Sequence, residues 1–379
     1  GETIQAAGYR TASMGKWHMG TDEYGPKNQG FDVNIAGNHS GSPKGGYFSP
    51  YNNPQLKDGP KGEHITDRIA QEACKFITDT NSMNKPFFLY LPFYGVHTPI
   101  QPKKELVGKY AALPKKEQQG KPAYAAMVEV TDNAVGTIMK TLDELKLAEN
   151  TIVIFFSDNG GHGSVTTHGP LRGSKGMIYE GGIREPMCVR YPGVVKPGTK
   201  CDTPVIGIDF LPTLTKLAGG KLPTTQPVDG TDIMPLFKGG TIDREAIYFH
   251  EPVYLQGHIA NASQRDRHFR IRPCSAIIKG DWKYVQYYEN PGDVEMYNLK
   301  DDLGEKTNLA KKKPAKAKEL AADLNKWIKD VKAPIPTEPN PKYAPTAAKS
   351  KGEGKDKDKK KNKKKDKKNK KDKAVETEH

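Results

Sequence analysis

Hydrophobic and polar positions alternate with helical and strand periodicities along residues 1–240 of this 379-residue chain. The clearest helical pattern spans residues 124–147, where apolar side chains from Val128 to Leu145 recur at spacings of three and four and form one continuous face. It leads into residues 151–157, TIVIFFS, an unbroken apolar run that is typical of a strand buried inside a parallel sheet. This alternation predicts an α/β fold with a mostly parallel central sheet flanked by helices.

The segments before residue 100 add further helices and strands to this pattern. Residues 3–8 are predicted to be the last turns of a helix closed by a glycine, and residues 11–17 a short strand. Residues 20–62 are rich in Gly, Pro, Asn and Lys and lack apolar periodicity, so they are predicted to form a long loop. A helical pattern that begins at Ile65 then leads into residues 87–92, FFLYLP, an apolar run suited to a buried strand.

After Leu236 the pattern changes to short strands separated by polar turns, which predicts a small antiparallel sheet. The predicted strands are residues 246–250, 275–279, 282–288 and 294–297. A helix over residues 314–331 follows, with its apolar face turned inward. The predicted divisions of the chain are a large α/β domain over residues 1–240, an α+β subdomain over 241–335, and a linker with a disordered Lys-rich tail over 336–379.

Positive charge is concentrated at the end of the chain. The formal net charge is +14, and residues 349–379, with 15 lysines and 7 acidic residues, carry +8 of it. This tail has almost no apolar side chains to offset the entropy of ordering, so it is predicted to be disordered. A solubilising end and a tether to a polyanion or cell envelope both remain open for it. The rest of the chain is only mildly basic, which argues against a nucleic-acid binder, and no stretch approaches the ~20 apolar residues of a membrane span.

The four cysteines show no pattern that indicates a metal or redox site. They are Cys74, Cys188, Cys201 and Cys274, and no two of them stand in a C-x-x-C arrangement. This spacing argues against a zinc site or a thioredoxin-type motif. Disulfides and free thiols both remain open.

Polar side chains that can perform chemistry follow two of the predicted strands. Asp158 and Asn159 end the strand of residues 151–157, and hard divalent cations prefer such carboxylate and amide oxygens. The alternative is an Asx turn that closes the strand. Lys16 and His18 stand two apart at the end of another strand and share a face, which suits an anionic substrate and a proton transfer. They can equally be exposed polar residues at a sheet edge.

Two further motifs add a histidine and a basic loop. His97 follows FFLYLP and is expected on the same rim of the sheet as Asp158, in a catalytic or a structural role. In HGPLRGSKG, glycines allow close approach to an anion, and Arg172 and Lys175 supply positive charge, although an ordinary surface loop has the same composition. The EGGIREP segment that follows is predicted to be a turn in which Arg184 is structural.

In this order, the motifs resemble the sulfatase family of the alkaline-phosphatase superfamily. The matching segments are GYRTASMGKWHMG (8–20), FFLYLPFYGVHTP (87–99), EVTDNAVGTIMKTLDEL (129–145), TIVIFFSDNGG (151–161), GPLRGSKGMIYEGGIREPMCVRYPG (169–193) and NLKDDLGEKTNLA (298–310). The resemblance covers residues 1–335. It implies a hydrolase that removes sulfate from an organic ester, in particular a sulfated carbohydrate, and that works in the periplasm or is secreted.

The resemblance also implies roles for the metal-binding and cationic side chains. Asp158 and Asn159 would be two ligands of a calcium ion, in preference to magnesium. Lys16 and Lys175 would contact the sulfate and the oxygens of the nucleophile. Together they would stabilise the negative charge that spreads over the SO₃ oxygens during transfer.

The histidines and the remaining arginine would handle protons and substrate. His18 would help to cleave the sulfated enzyme intermediate. His97 would bind the sulfate or protonate the leaving alcohol. His168 and Arg172 would bind substrate, as would His162.

The sequence departs from the family pattern at the nucleophile. Sulfatases use a formylglycine made from Cys or Ser in a C/S-x-P-x-R motif, and two aspartates near the first strand complete the calcium site. Neither feature occurs in this sequence. N-terminal truncation explains both absences, so the chain as given is expected to be inactive and to lack a central strand. The full-length protein would require a formylglycine-generating enzyme as a partner.

Two alternative functions remain open. One is a hydrolase of phosphate or phosphonate esters from the same superfamily. The other is a binding protein for sulfated glycans that has no nucleophile. Substrate specificity is expected to reside in residues 20–62 and 254–272, where Arg265 and Arg267 would meet a sulfated carbohydrate.

Overall fold

The computed structural model describes residues 1–257, 265–266 and 268–338. It divides into two compact units, Gly1–Ala333 and Pro334–His379. The predicted Lys-rich tail and Arg267 lie outside the described residues. All helices and strands discussed below belong to the first unit, which contains both predicted domains, and the division between those domains at residue 240 stays a prediction.

The elements follow the predicted α/β order. The helices are α1 (Glu2–Gln5), α2 (Ile65–Ser82), α3 (Lys104–Ala111), α4 (Pro122–Glu144), α5 (Glu180–Ile183), α6 (Phe210–Leu217), α7 (Met234–Phe237) and α8 (Pro314–Asp330). The strands are β1 (Arg10–Met14), β2 (Val33–Ile35), β3 (Phe87–Tyr90), β4 (Val153–Phe156), β5 (Met187–Arg190), β6 (Ile247–Glu251), β7 (Leu255–Gln256), β8 (Phe269–Ile271), β9 (Cys274–Lys279), β10 (Trp282–Tyr287) and β11 (Val294–Asn298). Among the described residues, no helix is long and apolar enough to cross a bilayer.

A parallel three-stranded sheet, in the order β2-β1-β3, confirms the predicted central sheet. Ser13 of β1 pairs with both Asn34 and Tyr90, so the three strands end at the same edge. Helix α2 covers this sheet with the predicted face, on which Ile65 and Ile69 are fully buried. The carboxyl edge of this sheet is where a ligand site of an open α/β fold is expected.

The predicted apolar face of helix α4 is confirmed except at its N-terminal end. Leu142 is buried, and Ile138 and Leu145 pack against the core, whereas Val128 is 48% exposed. The neighbouring Met127 is buried in its place, in the same core cluster as Ile65 of α2. The helical period therefore predicted the face, but not which residue covers the core at the start of the helix.

Strand β4 is also arranged differently from the prediction of a strand buried within the parallel sheet. It pairs antiparallel with β5, and this pair forms a separate two-stranded sheet among the described residues. Phe155, in its centre, is 44% exposed. The chain between the two strands turns back through residues 157–186, and this reversal makes the β4–β5 pairing antiparallel.

The C-terminal part confirms the predicted antiparallel sheet and helix. The sheet has the order β11-β10-β9-β6, and α8 packs on it through Leu320, Leu324 and Ile328. Trp327 of α8 stacks on Tyr248 of β6 with 4.7 Å between the ring centroids. Strands β7 and β8 form a separate two-stranded ribbon that the sequence did not predict.

All four cysteines are free thiols in the structure. Cys188 and Cys201 are exposed, Cys74 is half-buried and Cys274 is buried. Burial raises the pKa of the Cys274 thiol to about 12, so it is an unreactive core residue.

Candidate active site

Lys16 follows β1 at the carboxyl edge of the parallel sheet. The backbone N–H of Gly15 donates to Ile35 O at 2.8 Å, and that of Lys16 donates to Pro92 O at 2.7 Å, so the segment is held by the chains that follow both neighbouring strands. Gly15 has a φ of 127°, and a Cβ there would lie 2.0 Å from Pro92 O. Only glycine fits this close backbone approach, which fixes the starting point of the Lys16 side chain.

His97 lies in the loop that follows β3, as the sequence predicted. The hydroxyl of Tyr47, a buried side chain, donates to Tyr94 O at 2.6 Å and to His97 O at 2.8 Å and thereby fixes this loop. His97 Nδ1 lies 2.9 Å from Thr98 O; because a carbonyl only accepts, Nδ1 carries the proton and Nε2 is left for other partners. Burial lowers the pKa of His97, and the positive charges of Lys175 and Lys16 lower it further.

Asp158 and Asn159 follow β4 and are positioned by a glycine-rich contact. The N–H of Gly160 donates to Gly182 O at 3.2 Å, and a Cβ on Gly160 would lie 2.1 Å from Gly181 O. The Asn159 amide donates to Gly160 O at 3.2 Å, so its carbonyl oxygen remains an available ligand. The charge of Asp158 acts on Tyr90 at the end of β3, where it contributes to a raised pKa, as well as on His97.

Lys175 joins this group from the glycine-rich loop. Its backbone N–H donates to Gly161 O at 3.2 Å, which ties the loop to the segment after β4. Burial lowers the pKa of Lys175, and the charges that act on it are the negative one of Asp158 and the positive ones of Lys16 and Arg270. The structure thus brings Lys16, His97, Asp158 and Lys175 into one electrostatic group.

The other predicted site residues lie around this group or face away from it. His18 is exposed, adopts a φ of 56°, and lies over Gly41, where a Cβ would be 2.6 Å from the His18 ring. His168 is half-buried, and its Nε2 is enclosed without a hydrogen-bond partner among the described residues. A Cβ on Gly161 would lie 2.8 Å from that nitrogen. The proposed roles of both histidines stay predictions.

Arg172 is directed towards the C-terminal sheet. Its guanidinium carbon lies 3.7 Å from the ring centroid of Tyr179, and Nη1 donates to Tyr297 Oη at 3.0 Å and to Glu305 O at 3.1 Å. These contacts join the glycine-rich loop to β11 and the turn after it. Substrate contact by Arg172 stays a prediction, and the contacts seen here are those of an anchor.

The structure adds two residues, Glu185 and Arg270, that sequence reasoning did not select as site residues. Glu185 has an enclosed Oε1 without a partner among the described residues, and burial together with the charge of Asp158 raises its pKa to about 7. The charge of Arg270 acts on both Lys175 and His162, so Arg270 lies near both, and substrate contact by His162 stays a prediction. Arg270 comes from β8, far along the chain, and no local motif marks it.

The donor set at Asp158 fits a hard cation. Asp158 and Asn159 offer carboxylate and amide oxygens, and the charge of Asp158 reaches the buried carboxyl of Glu185, a further oxygen donor close by. Within the residues that the structure describes, no group of three or more His, Cys, Asp or Glu side chains could hold a metal. The described chain therefore offers part of a coordination sphere.

Comparison with known proteins identifies a family for most of the chain. The sulfatase family model matches residues 1–220, and the model of the N-sulphoglucosamine sulphohydrolase C-terminal region matches residues 173–334. A sulfatase of Formosa agariphila is 33% identical over 388 aligned residues, which cover 86% of this chain and 68% of that protein. Human steryl-sulfatase is 36% identical over 226 residues, which cover 55% of this chain and 37% of that protein.

The solved structures agree with this result. The crystal structure of Ps i-CgsB in complex with k-i-k-neocarrahexaose has a TM-score of 0.71 and 29% identity, covering 86% of this chain and 73% of that one.

Proposed function

This chain belongs to the sulfatase family, and on that basis we propose that it removes sulfate from a sulfated carbohydrate by hydrolysis of the sulfate ester. The observation that carries the proposal is that Lys16 and His97, which follow strands of the parallel sheet, lie close to Asp158 after β4 and to Lys175 of the glycine-rich loop. A carbohydrate substrate is supported by the relative Ps i-CgsB, whose crystal structure contains a neocarrahexaose, and by the N-sulphoglucosamine sulphohydrolase match.

The two lysines bind and stabilise the anionic sulfate group. Negative charge spreads over the SO₃ oxygens as the ester bond breaks, and preorganised cations in a partly enclosed site stabilise that charge strongly. Lys175 and Lys16 are close enough to influence one another and His97, so a bound sulfate ester would interact with both. Binding that anion also offsets the positive charges that lower the pKa of His97.

His97 is the proposed acid for the leaving alcohol. Its Nδ1–H is held by Thr98 O, which leaves Nε2 to face a substrate oxygen. Because the bound anion favours the protonated ring, the substrate itself helps His97 to acquire the proton that it then donates. His18, on the exposed side of the same strand end, is proposed to act in the cleavage of a sulfated intermediate.

Asp158 and Asn159 are the proposed ligands of the metal ion, which we take to be calcium rather than magnesium. When bound, the ion would supply positive charge to the sulfate oxygens. The proposal includes a formylglycine nucleophile and, as a partner, the enzyme that generates it. The 379 residues contain no C/S-x-P-x-R motif, so that nucleophile is not among the residues described. We also propose a periplasmic or secreted location.

The test uses the natural protein that carries these residues, co-expressed with a formylglycine-generating enzyme. Sulfate released from sulfated oligosaccharides is measured by ion chromatography, with calcium and with a chelator. Calcium-dependent release that Asp158→Ala abolishes supports the proposal, with Asp143→Ala on the surface of α4 as the matched control. Release of phosphate from phosphate or phosphonate esters without sulfate release, or tight glycan binding without any release, would reject it.

A further inference from the structure

Arg270 lies beside the proposed site and has no acidic partner among the described residues. It belongs to β8, which pairs with β7 in the two-stranded ribbon. Its Nε is enclosed, and no hydrogen bond or ion pair joins its side chain to another described residue. Arg265 and Arg272, close to it in sequence, each bridge two carboxylates. Of these three arginines, Arg270 is the one without a carboxylate partner in the described part of the chain.

Two glycines bring the Arg270 side chain against the loop that carries Lys175. A Cβ on Gly176 would lie 3.3 Å from Arg270 Cδ, and a Cβ on Gly257 would lie 2.8 Å from Arg270 Nε. Both glycines have positive φ, 80° and 136°, so the backbone at each position favours glycine. The side chain therefore passes between the backbones of two glycines, one of which directly follows Lys175.

The charge of Arg270 acts on two residues next to the proposed site. It lowers the pKa of Lys175 and is the largest charge contribution to the lowered pKa of His162. Together with the contact at Gly176, this places Arg270 close to the Lys175 loop.

Exposed apolar surface adjoins this guanidinium. Val253, Tyr254 and Leu255 precede Gly257 along the chain and are 53%, 47% and 41% exposed. A Cβ on Gly176 would lie 2.6 Å from Leu255 Cδ2, so this apolar surface reaches the Lys175 loop as well. Exposed apolar surface with a polar margin is typical of a ligand-binding groove. The faces of a sugar ring and its charged substituents would both find matching surface here.

We propose that Arg270 binds a second anionic group, a sulfate or a carboxylate, on the glycan whose sulfate ester lies between Lys16 and Lys175. This inference rests on the proposed function and specifies its substrate class: glycans that carry at least two negative groups close together. A guanidinium can bind two oxygens of such a group at once. Arg270 would then select between singly and multiply charged substrates.

The experiment compares binding of singly and doubly charged probes to the natural protein by isothermal titration calorimetry. The probes are galactose 6-sulfate with galactose 2,6-disulfate, and glucosamine 6-sulfate with glucosamine 2-N,6-O-disulfate. The variants are Arg270→Met, which removes the charge, and Arg270→Lys, which keeps it. Lys140→Met on the exposed surface of α4 makes the same change in net charge as Arg270→Met and is the control.

Wild-type protein should bind at least one disulfate more tightly than its monosulfate. Arg270→Met should weaken binding of that disulfate about tenfold and leave the monosulfate within about twofold, while Arg270→Lys retains part of the difference. Equal weakening of both probes, no effect of Arg270→Met, or no preference of the wild type for either disulfate would overturn the inference. Thermal unfolding of each variant checks that the fold is kept.

These readouts separate the inference from the proposed function. Binding does not require turnover, so a protein that fails to release sulfate can still show Arg270-dependent preference for a disulfate, and only the proposed function then fails. If sulfate is released but Arg270→Met changes neither preference nor affinity, the proposed function stands and the role of Arg270 is rejected.

Discussion

The ammonium group of Lys283 lies 3.2 Å from Oε1 of Glu180 in the interior of the protein, and neither side chain is more than 4% exposed. Glu305 provides a second buried carboxylate, 2.7 Å from the same ammonium group. Lys283 belongs to β10, whereas Glu180 begins α5, and the N–H of the adjacent Gly181 donates to Arg172 O at 2.6 Å. This ion cluster therefore connects the C-terminal sheet to the loop that carries Lys175.

Replacement of this buried lysine is expected to be strongly destabilising. Lys283→Met leaves two carboxylates in the interior without a cation, which should lower the free energy of unfolding by about 3–5 kcal/mol. Urea unfolding at pH 7 measures the change. Lys279→Met is the matched control on the neighbouring strand, because Lys279 pairs with a partly exposed Asp323 and its loss should cost much less stability. Similar losses for the two variants would contradict this role of the cluster.

His64 should make stability dependent on pH. It is 2% exposed, its Nδ1 accepts from the Thr66 N–H at the start of α2, and burial lowers its pKa from 6.5 to about 4. Above pH 6.5 the ring is neutral in both the folded and the unfolded chain. As the pH falls from 6.5 to 4, only the unfolded chain takes up the proton, so folding should lose about 3 kcal/mol in this interval.

The variant His64→Asn tests this expectation, because asparagine also caps a helix but does not titrate. Urea unfolding of wild type and variant is compared at pH 7.5, 5.5 and 4.5. The difference in stability between the two should shift in favour of the variant as the pH falls. A difference that stays constant across these pH values would show that His64 does not cause the loss.

Gly15 should be irreplaceable for packing reasons beyond its φ angle. Gly15→Ala places a Cβ 2.0 Å from Pro92 O, so the strand ends must separate, and we expect a loss of about 3 kcal/mol or more in the free energy of unfolding. Gly8→Ala is the control, since Gly8 also has a positive φ, 90°, but has open space around it. Its cost should be about 1 kcal/mol. Equal costs, measured by chemical denaturation, would mean that the contact with Pro92 is not limiting.

Lys175 should contribute mainly to turnover. In the natural protein with its nucleophile, Lys175→Met is expected to lower kcat by about 10²-fold to 10³-fold, because a cation aimed at the developing charge is lost. Lys140→Met, on the exposed surface of α4, should leave kcat within about twofold. The rate of sulfate release, measured over a range of substrate concentrations up to saturation, gives kcat and KM for each variant. An unchanged kcat with a raised KM would assign Lys175 to substrate binding alone.

Arg172 should act as an anchor of the glycine-rich loop. Arg172→Met removes the contact with the Tyr179 ring and the hydrogen bonds to Tyr297 and Glu305, so the free energy of unfolding should fall by about 1–3 kcal/mol. Thermal and urea unfolding measure this loss. If stability is unchanged while KM rises, Arg172 contacts substrate as the family resemblance implies.

Sequence patterns were sufficient for the fold class and for most of the elements. Helix α2, strands β1 and β3, and the C-terminal sheet with α8 follow periodicities that are local properties of the chain. The burial of Val128 in α4 and the partner of β4 were predicted incorrectly, because both depend on contacts made by residues distant in sequence. Periodicity indicates that a helix has an apolar side but does not fix which neighbour will cover each position.

The candidate site, too, was predicted in part from the sequence and decided in part by the tertiary structure. The sequence determined that Lys16 and His97 follow strands of a parallel sheet, and parallel strands necessarily bring their carboxyl ends to one edge. Asp158 follows β4, which belongs to a separate antiparallel pair, so its place beside them was decided by the tertiary structure. Only the tertiary structure decided that the two cations of one glycine-rich loop diverge, with Lys175 directed to the site and Arg172 to the C-terminal sheet. It alone also brought Arg270 beside Lys175, because β8 lies almost a hundred residues further along the chain and no local pattern specifies that contact.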